Sequence, residues 1–164
     1  MFNLTLDVPP NLAGRGERLD VDCGDFQSLV MDACELLGEA GCRFRMGGFG
    51  KDDWNLNVSY DMSTVIEQLP DVLAALDRGA QAEIDLYSQG IERTITVTPD
   101  GDYIHLWCQS RTSWTPNPEM ERMDRGYVIE AFRKLATDFA KALISVQPEL
   151  ADVEPLARWQ AGEV

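Results

Sequence analysis

Residues 81–110, QAEIDLYSQGIERTITVTPDGDYIHLWCQS, decide the fold. Apolar and polar residues alternate through this stretch in three segments, which is the period-two pattern of half-buried β-strands. Turn-forming residues separate the segments at Ser88-Gln89-Gly90 and at Pro99-Asp100-Gly101-Asp102. The apolar series are Ala82, Ile84 and Leu86; Ile91, Ile95 and Val97; and Ile104, Leu106 and Cys108. We therefore predict a three-stranded antiparallel meander over about 81–110.

Segments with helical periodicity precede and follow this meander in the sequence. Apolar residues at three- and four-residue spacing predict helices over about 25–40, 65–78 and 118–147. Asp25 is a suitable N-cap for the first helix, and Thr64 with Glu67 forms a capping box for the second. Asn117-Pro118 is suited to open the third, with Asn as the cap and Pro at the first helical position.

The rest of the chain adds strands. Alternation predicts one strand over residues 2–8, a short one over 19–23, and a hairpin in which residues 42–46 pair with 54–60. Pro70 should kink the second helix or delay its start, because it removes one backbone hydrogen bond. The order of elements indicates an α+β fold, an antiparallel sheet covered by helices on one face, with 1–164 as a single domain.

The charge limits the classes of partner. Among 164 residues, 28 Asp and Glu stand against 14 Lys and Arg, which gives a net charge of −14. The negative charge is spread along the chain rather than gathered in a tail. It repels phosphate backbones and attracts cationic partners. We expect a protein partner and no nucleic acid.

The sequence motifs of common catalytic and metal sites are missing. The single histidine, His105, lies in a predicted strand, and no G-x-S-x-G or phosphate-loop motif is present. The four cysteines form no C-x-x-C pair, so we expect free thiols. We predict no catalytic, cofactor-binding or metal-binding residue. The first residues do not resemble a signal peptide and no apolar run could span a membrane, so we expect a cytoplasmic chain without membrane contact, either monomer or dimer.

Recognition features remain as candidates. Exposed aromatic and arginine side chains in loops are common at interface hot spots, and carboxylates steer cationic partners. Trp114 lies in a polar loop, where it either is exposed or tucks over the edge of the core. Tyr103 and Trp107 share the polar face of the meander, and Phe49 is flanked by glycines. The predicted partner-binding residues are Phe49, Asp52, Asp53, Asp100, Asp102, Tyr103, Trp107, Arg111 and Trp114.

The chain resembles the immunity proteins of bacterial polymorphic-toxin and contact-dependent inhibition systems. The shared features are the uniform negative charge, the helix-and-meander order, and the loops over 47–53 and 110–118. This resemblance implies tight binding to a toxin domain, often a basic nuclease or another nucleotide-acting enzyme, with its active site blocked. In that case the aspartates would steer the toxin, while Trp114 and Phe49 would anchor it.

Two alternatives stay open at this point. Type III effector chaperones are also small, acidic, non-enzymatic α/β proteins, and they dimerise around an apolar groove. The long helix predicted over 118–147 could serve as such a dimer element. The third class is a small-ligand binder or an enzyme that uses carboxylates in a pocket of the sheet.

Overall fold

The structure, a computed structural model, describes residues 1–12, 19 and 25–164. A π-helical turn (Val58–Met62) precedes the second helix, and a 3-10 turn (Pro148–Asp152) follows the third. No helix in this described part of the chain is both long and apolar enough to span a bilayer. In chain order the elements are β1 (Asn3–Asp7), α1 (Phe26–Glu39), β2 (Arg43–Gly47), α2 (Ser63–Asp77), β3 (Ala82–Leu86), β4 (Arg93–Asp100), β5 (Tyr103–Ser110), β6 (Met120–Asp124), α3 (Arg125–Val146) and α4 (Leu156–Gln160).

The larger sheet contains the predicted meander. Its four strands follow the order β3-β4-β5-β6, and all neighbours are antiparallel. The register pairs Ile84 with Ile95 and Val97 with Leu106, so the apolar positions of adjacent strands share one face. The α+β class, the antiparallel sheet and the meander are therefore confirmed.

The predicted start of the third helix is wrong. Asn117-Pro118 does not open it, because residues 120–124 form β6, which pairs with β5. The helix begins at Arg125, where the Asp124 side chain caps it by accepting a hydrogen bond from the Tyr127 backbone N–H at 2.8 Å. A strand of only five residues, in which Met123 alone is fully buried, has too short an alternation to be distinguished from the helix behind it.

The first strand is confirmed, whereas the predicted hairpin of 42–46 with 54–60 is wrong. β1 pairs with β2 in a separate two-stranded antiparallel sheet. The predicted strand over 54–60 does not form: Asn55 has φ +58° and the Asn57 side chain caps the π-helical turn. Trp54 and Val58 are nevertheless buried, whereas Tyr60 of the same series is 70% exposed, so the alternation matches burial only in part. The strand predicted over 19–23 lies outside the described residues apart from Leu19, which is not in a strand.

The first two helices lie close to their predicted positions. Asp25 caps α1, accepting from the Ser28 N–H at 2.8 Å. The capping box predicted for α2 is absent: the Thr64 hydroxyl instead donates to the Asp61 carbonyl oxygen in the turn before the helix. Pro70 does not delay α2, which runs through it, because Pro70 lies on the exposed side and leaves the buried stripe intact.

The helices cover one face of the larger sheet. α2 contacts β3, and α3 contacts β5 and β6 as well as β1 of the small sheet. Phe132 and Phe139 of α3 are buried in the same apolar core as Phe2 and Trp54. One face of the four-stranded sheet therefore lies against the core, and its opposite face is left for other contacts.

Candidate functional site

The outer face of the larger sheet, meaning the side turned away from the helices, is the first candidate site. Period-two alternation and the strand register place these side chains together. The side chains of its two aromatic residues are exposed, Trp107 to 47% and Tyr103 to 40%. Tyr87 follows β3 and is also exposed, but its hydroxyl donates to Glu67 of α2 at 2.9 Å. The outer face includes Glu83, Asp85, Thr94, Thr96, Thr98, Tyr103, His105, Trp107, Gln109, Arg122 and Asp124. Large exposed aromatic side chains on one sheet face are typical of protein-binding surfaces.

The cationic groups at this face are engaged within the chain. Arg111 donates to Asp85 Oδ1 at 2.7 Å and to the Thr94 hydroxyl at 2.5 Å. The Arg122 guanidinium carbon lies 3.3 Å from the centroid of the Tyr103 ring, a cation–π contact. The predicted steering residues Asp100 and Asp102 lie exposed at the β4–β5 turn, at one end of this face. The surface offered to a partner is therefore aromatic and acidic.

An open cleft of about 660 Å³ adjoins the same end of the face. Tyr103 lines it beside three carboxylates, those of Asp102, Asp124 and Glu130. The two arginines in its wall are held by other groups: Arg125 donates to the Leu76 carbonyl oxygen at 2.6 Å, and Arg133 pairs with Asp77 at 3.2 Å. The cleft is suited to a lysine or arginine side chain of a partner.

Five of the nine predicted residues thus lie at or beside one surface. They are Asp100, Asp102, Tyr103, Trp107 and Arg111. The prediction that Phe49 is an exposed anchor is wrong. Its side chain is 0% exposed and packs against Phe2 and Trp54, with ring centroids 6.4 and 6.2 Å away. The flanking glycines allow a tight loop that turns the ring inwards, with φ +56° at Phe49 itself.

Asp52 and Asp53 are exposed, but they do not line the same cleft. They follow the bridge between Gly48 and Lys51 in the loop after the small sheet. Asp53 accepts a hydrogen bond from the Asn55 N–H at 2.7 Å, and it lines a different cleft, beside Arg43 and Arg45. The structure therefore separates these two aspartates from the cleft at Asp102.

Trp114 is half-buried over the edge of the core, the second of the two positions considered for it. Its ring lies 5.9 Å from that of Trp54, and the guanidinium carbon of Arg93 lies 4.0 Å from its centroid. The same carbon lies 4.4 Å from the Trp54 ring. Trp54, Arg93 and Trp114 form a cluster on the inner side of the sheet, which we call the Arg93 cluster.

Arg93 is a buried cation, and no residue in the described part of the chain supplies its counter-ion. It is only 3% exposed, and its Nε and Nη1 have no hydrogen-bond partner among the described residues. Two cation–π contacts are worth roughly 2 kcal/mol each when desolvated. The effective cost of burying an unpaired ion is several kcal/mol, with each orphaned N–H adding about 1–3 kcal/mol. The Arg93 cluster is therefore strained electrostatically, which is more often a property of functional sites than of plain cores.

The neighbouring titratable groups do not neutralise Arg93. Burial raises the pKa of the Cys108 thiol to about 11, despite the opposing effect of Arg93, so the thiol is protonated at neutral pH. Burial also lowers the pKa of Arg93 from its ordinary value. Glu121, on β6, is occupied elsewhere: it accepts from the backbone N–H groups of Phe2 and Phe49, the latter at 2.7 Å.

The sequence contained a signal for this cluster that the strand prediction missed. On β4 the inward positions are Arg93, Ile95 and Val97, whereas the predicted series began at Ile91 and left position 93 out. An arginine in the apolar phase of a strand is a departure from the binary pattern, and such departures occur at functional positions.

Metal binding has no candidate among the described residues, where no three His, Cys, Asp or Glu side chains are grouped closely enough to hold an ion. No protein-family model, curated protein or solved structure matches the chain. The outer face and the Arg93 cluster are the two candidate functional sites of the described residues.

Proposed function

We propose that this protein is a non-enzymatic binding domain that docks a cationic protein on the outer face of its four-stranded sheet. The observation that carries the proposal is the exposure of Tyr103 and Trp107 on one face together with exposed carboxylates. Trp and Tyr contribute large buried areas at interfaces at little cost in conformational entropy. The partner's basic side chains would meet the face and the cleft lined by Asp102.

Electrostatics favours this pairing in two steps. The net charge of −14 raises the encounter rate with a basic protein, an effect that weakens as salt is added. Once the partner is docked, Trp107 and Tyr103 lose contact with water and slow its release. Because Arg111 is paired with Asp85, it opposes the partner's positive charge less than a free arginine would.

The biological role we propose is that of an immunity protein, which neutralises a basic toxin domain by covering its active site. It rests on the charge and on the acidic, aromatic docking face.

The chaperone alternative receives no comparable support. The long helix that could have served as its dimer element, α3, turns its apolar stripe into the protein's own core. Its buried residues are Val128, Phe132, Leu135, Ala136, Phe139, Ala140, Ala142, Leu143 and Val146.

The test compares two double variants in affinity capture from cells of the source organism. Tyr103→Ala/Trp107→Ala removes the aromatic residues of the outer face. Met31→Ala/Tyr60→Ala removes two large exposed hydrophobic side chains that lie away from the outer face and its cleft, and it serves as the control. We expect a basic protein to be captured by the wild type and the control, with affinity lowered at least 30-fold in the outer-face variant.

The immunity role is tested with that captured protein. Expressed alone it should arrest growth, and co-expression of the wild type should restore growth while the outer-face variant does not. A partner that is acidic, or one that both variants bind equally well, contradicts the proposed surface. A partner that is harmless when expressed alone contradicts the immunity role and leaves the docking surface intact.

A further inference from the structure

The four-stranded sheet ends in two edge strands, β3 and β6, and the structure treats these edges differently. At β3 the side chain of Gln68, from α2, bonds the edge. Its Nε2 donates to the Asp85 carbonyl oxygen at 3.0 Å, and its Oε1 accepts from the Asp85 N–H at 2.9 Å. A side chain that bonds both backbone groups of an edge residue prevents another strand from pairing there. The β3 edge is therefore closed at Asp85.

The backbone of β6 is unpaired along its outer edge. The Arg125 N–H, directly after β6, donates to the Asp102 carbonyl oxygen of the β4–β5 turn at 2.9 Å. Since alternate residues of an antiparallel strand bond the neighbouring strand, the register turns the N–H groups of Met120, Arg122 and Asp124 away from β5. The C=O groups of Met120 and Arg122 point the same way. No group among the described residues bonds any of them.

This open edge adjoins the outer face. Arg122 and Asp124 are exposed, and Met120 is partly exposed. Met120 is the cross-strand neighbour of Trp107, and the Arg122 guanidinium stacks on the Tyr103 ring. A strand added to β6 would lie about 4.8 Å beyond it and would widen the outer face by one strand.

The charge around the edge favours a basic segment. Glu119 and Asp124 are exposed at the two ends of β6, and the cleft lined by Asp102 and Glu130 adjoins Asp124. Arg122 is the cation of β6, so an acidic or neutral side chain fits the middle of an added segment. A second copy of this chain is disfavoured, because two copies with a net charge of −14 each repel one another.

We propose that the partner docked on the outer face contributes an extended segment that pairs with the β6 edge as an additional strand of the sheet. A lysine or arginine of that segment lies beside Asp124 and enters the adjoining cleft. Backbone hydrogen bonds to β6 hold the segment in register, while Trp107 and Tyr103 contact the rest of the partner. This inference rests on the proposed function, since it states how the same cationic protein binds.

The test compares Arg122→Pro with Arg122→Ala in binding to the basic protein that the wild type captures. Both variants lose the guanidinium over Tyr103, but only Arg122→Pro also loses the outward N–H, which makes no bond to β5. We expect Arg122→Pro to bind at least about 10-fold more weakly than Arg122→Ala, with urea midpoints showing that both are folded.

Equal affinities of the two folded variants overturn strand addition and leave docking on the outer face intact. Capture of no basic protein by the wild type overturns the proposed function, and strand addition with it.

Hydrogen–deuterium exchange of the wild type, followed in ¹⁵N–¹H spectra, decides the matter should Arg122→Pro not fold. The N–H groups of Met120 and Arg122 should exchange at least about 10-fold more slowly when the captured protein is bound. The Glu83 N–H, on the opposite edge strand, is the control and should not change. Unchanged exchange at Met120 and Arg122 in the complex overturns the proposal. Slowing that depends on protein concentration without the partner identifies a second copy at the edge and also overturns it.

Discussion

Phe49 and Trp107 are both predicted from the sequence to bind the partner, but the structure predicts different effects when each is changed to alanine. Phe49→Ala should lower stability, and Trp107→Ala should lower partner affinity. Phe49 is 0% exposed and makes ring contacts with Phe2 and Trp54. Removing a buried Phe side chain costs about 3–5 kcal/mol. In a protein of this size each kcal/mol lowers Tm by about 2–4 °C, so Phe49→Ala should lower it by roughly 10 °C. Trp107→Ala, on the exposed face, should cost less than about 1 kcal/mol.

The measurement is urea unfolding of both variants, followed by far-ultraviolet circular dichroism, with binding of the captured basic partner assayed in parallel. Phe49→Ala should lose stability while partner affinity measured on the folded fraction stays constant. Trp107→Ala should keep its stability and lose affinity. A Phe49→Ala variant within about 1 kcal/mol of wild type would refute the buried position of the ring and the packing argument built on it.

Three further predictions concern the sheet and its loops. Burial raises the pKa of the Cys108 thiol to about 11, so this thiol ionises at lower pH in the unfolded chain than in the folded protein. The free energy of unfolding that Cys108 contributes should therefore fall as pH rises above about 8.5. Urea midpoints of the wild type and of Cys108→Ala, measured across that pH range, check this. Gly50→Ala should abolish folding or lower the free energy of unfolding far more than Gly90→Ala does. Both glycines have positive φ, but of the two only Gly50 would place a Cβ 2.0 Å from a backbone oxygen. Comparing the soluble yields and urea midpoints of the two variants tests this. The pair Arg111–Asp85 is solvent-exposed, so a double-mutant cycle should give a coupling below about 1 kcal/mol that vanishes at high salt.

Much of the sheet could be predicted from the sequence because its signal is local. Over 82–110, period-two alternation and turn residues coincide, and the register follows from them. Asp25 likewise marks the start of α1, since its side chain reaches the N–H of a residue three positions on. Both signals lie within a few residues of the structure they specify.

The parts that could not be predicted depend on distant contacts. β6 is defined by pairing with β5 and covers only five residues, so its own sequence does not separate it from α3. Phe49 is drawn inwards by Phe2 and Trp54, and Trp114 is held by Arg93, all through contacts that a linear pattern does not contain. The same holds for Arg93, whose burial becomes visible only when the phase of β4 is known.

The most direct test of the docking surface is photocrosslinking in cells of the source organism, with a benzophenone amino acid placed at position 107. Position 60 is the matched control, because Tyr60 is also an exposed aromatic residue but lies in the turn before α2. We predict that position 107 crosslinks to one basic protein and that position 60 does not. Crosslinking of that protein at position 60 alone, or of no protein at position 107, would contradict the account.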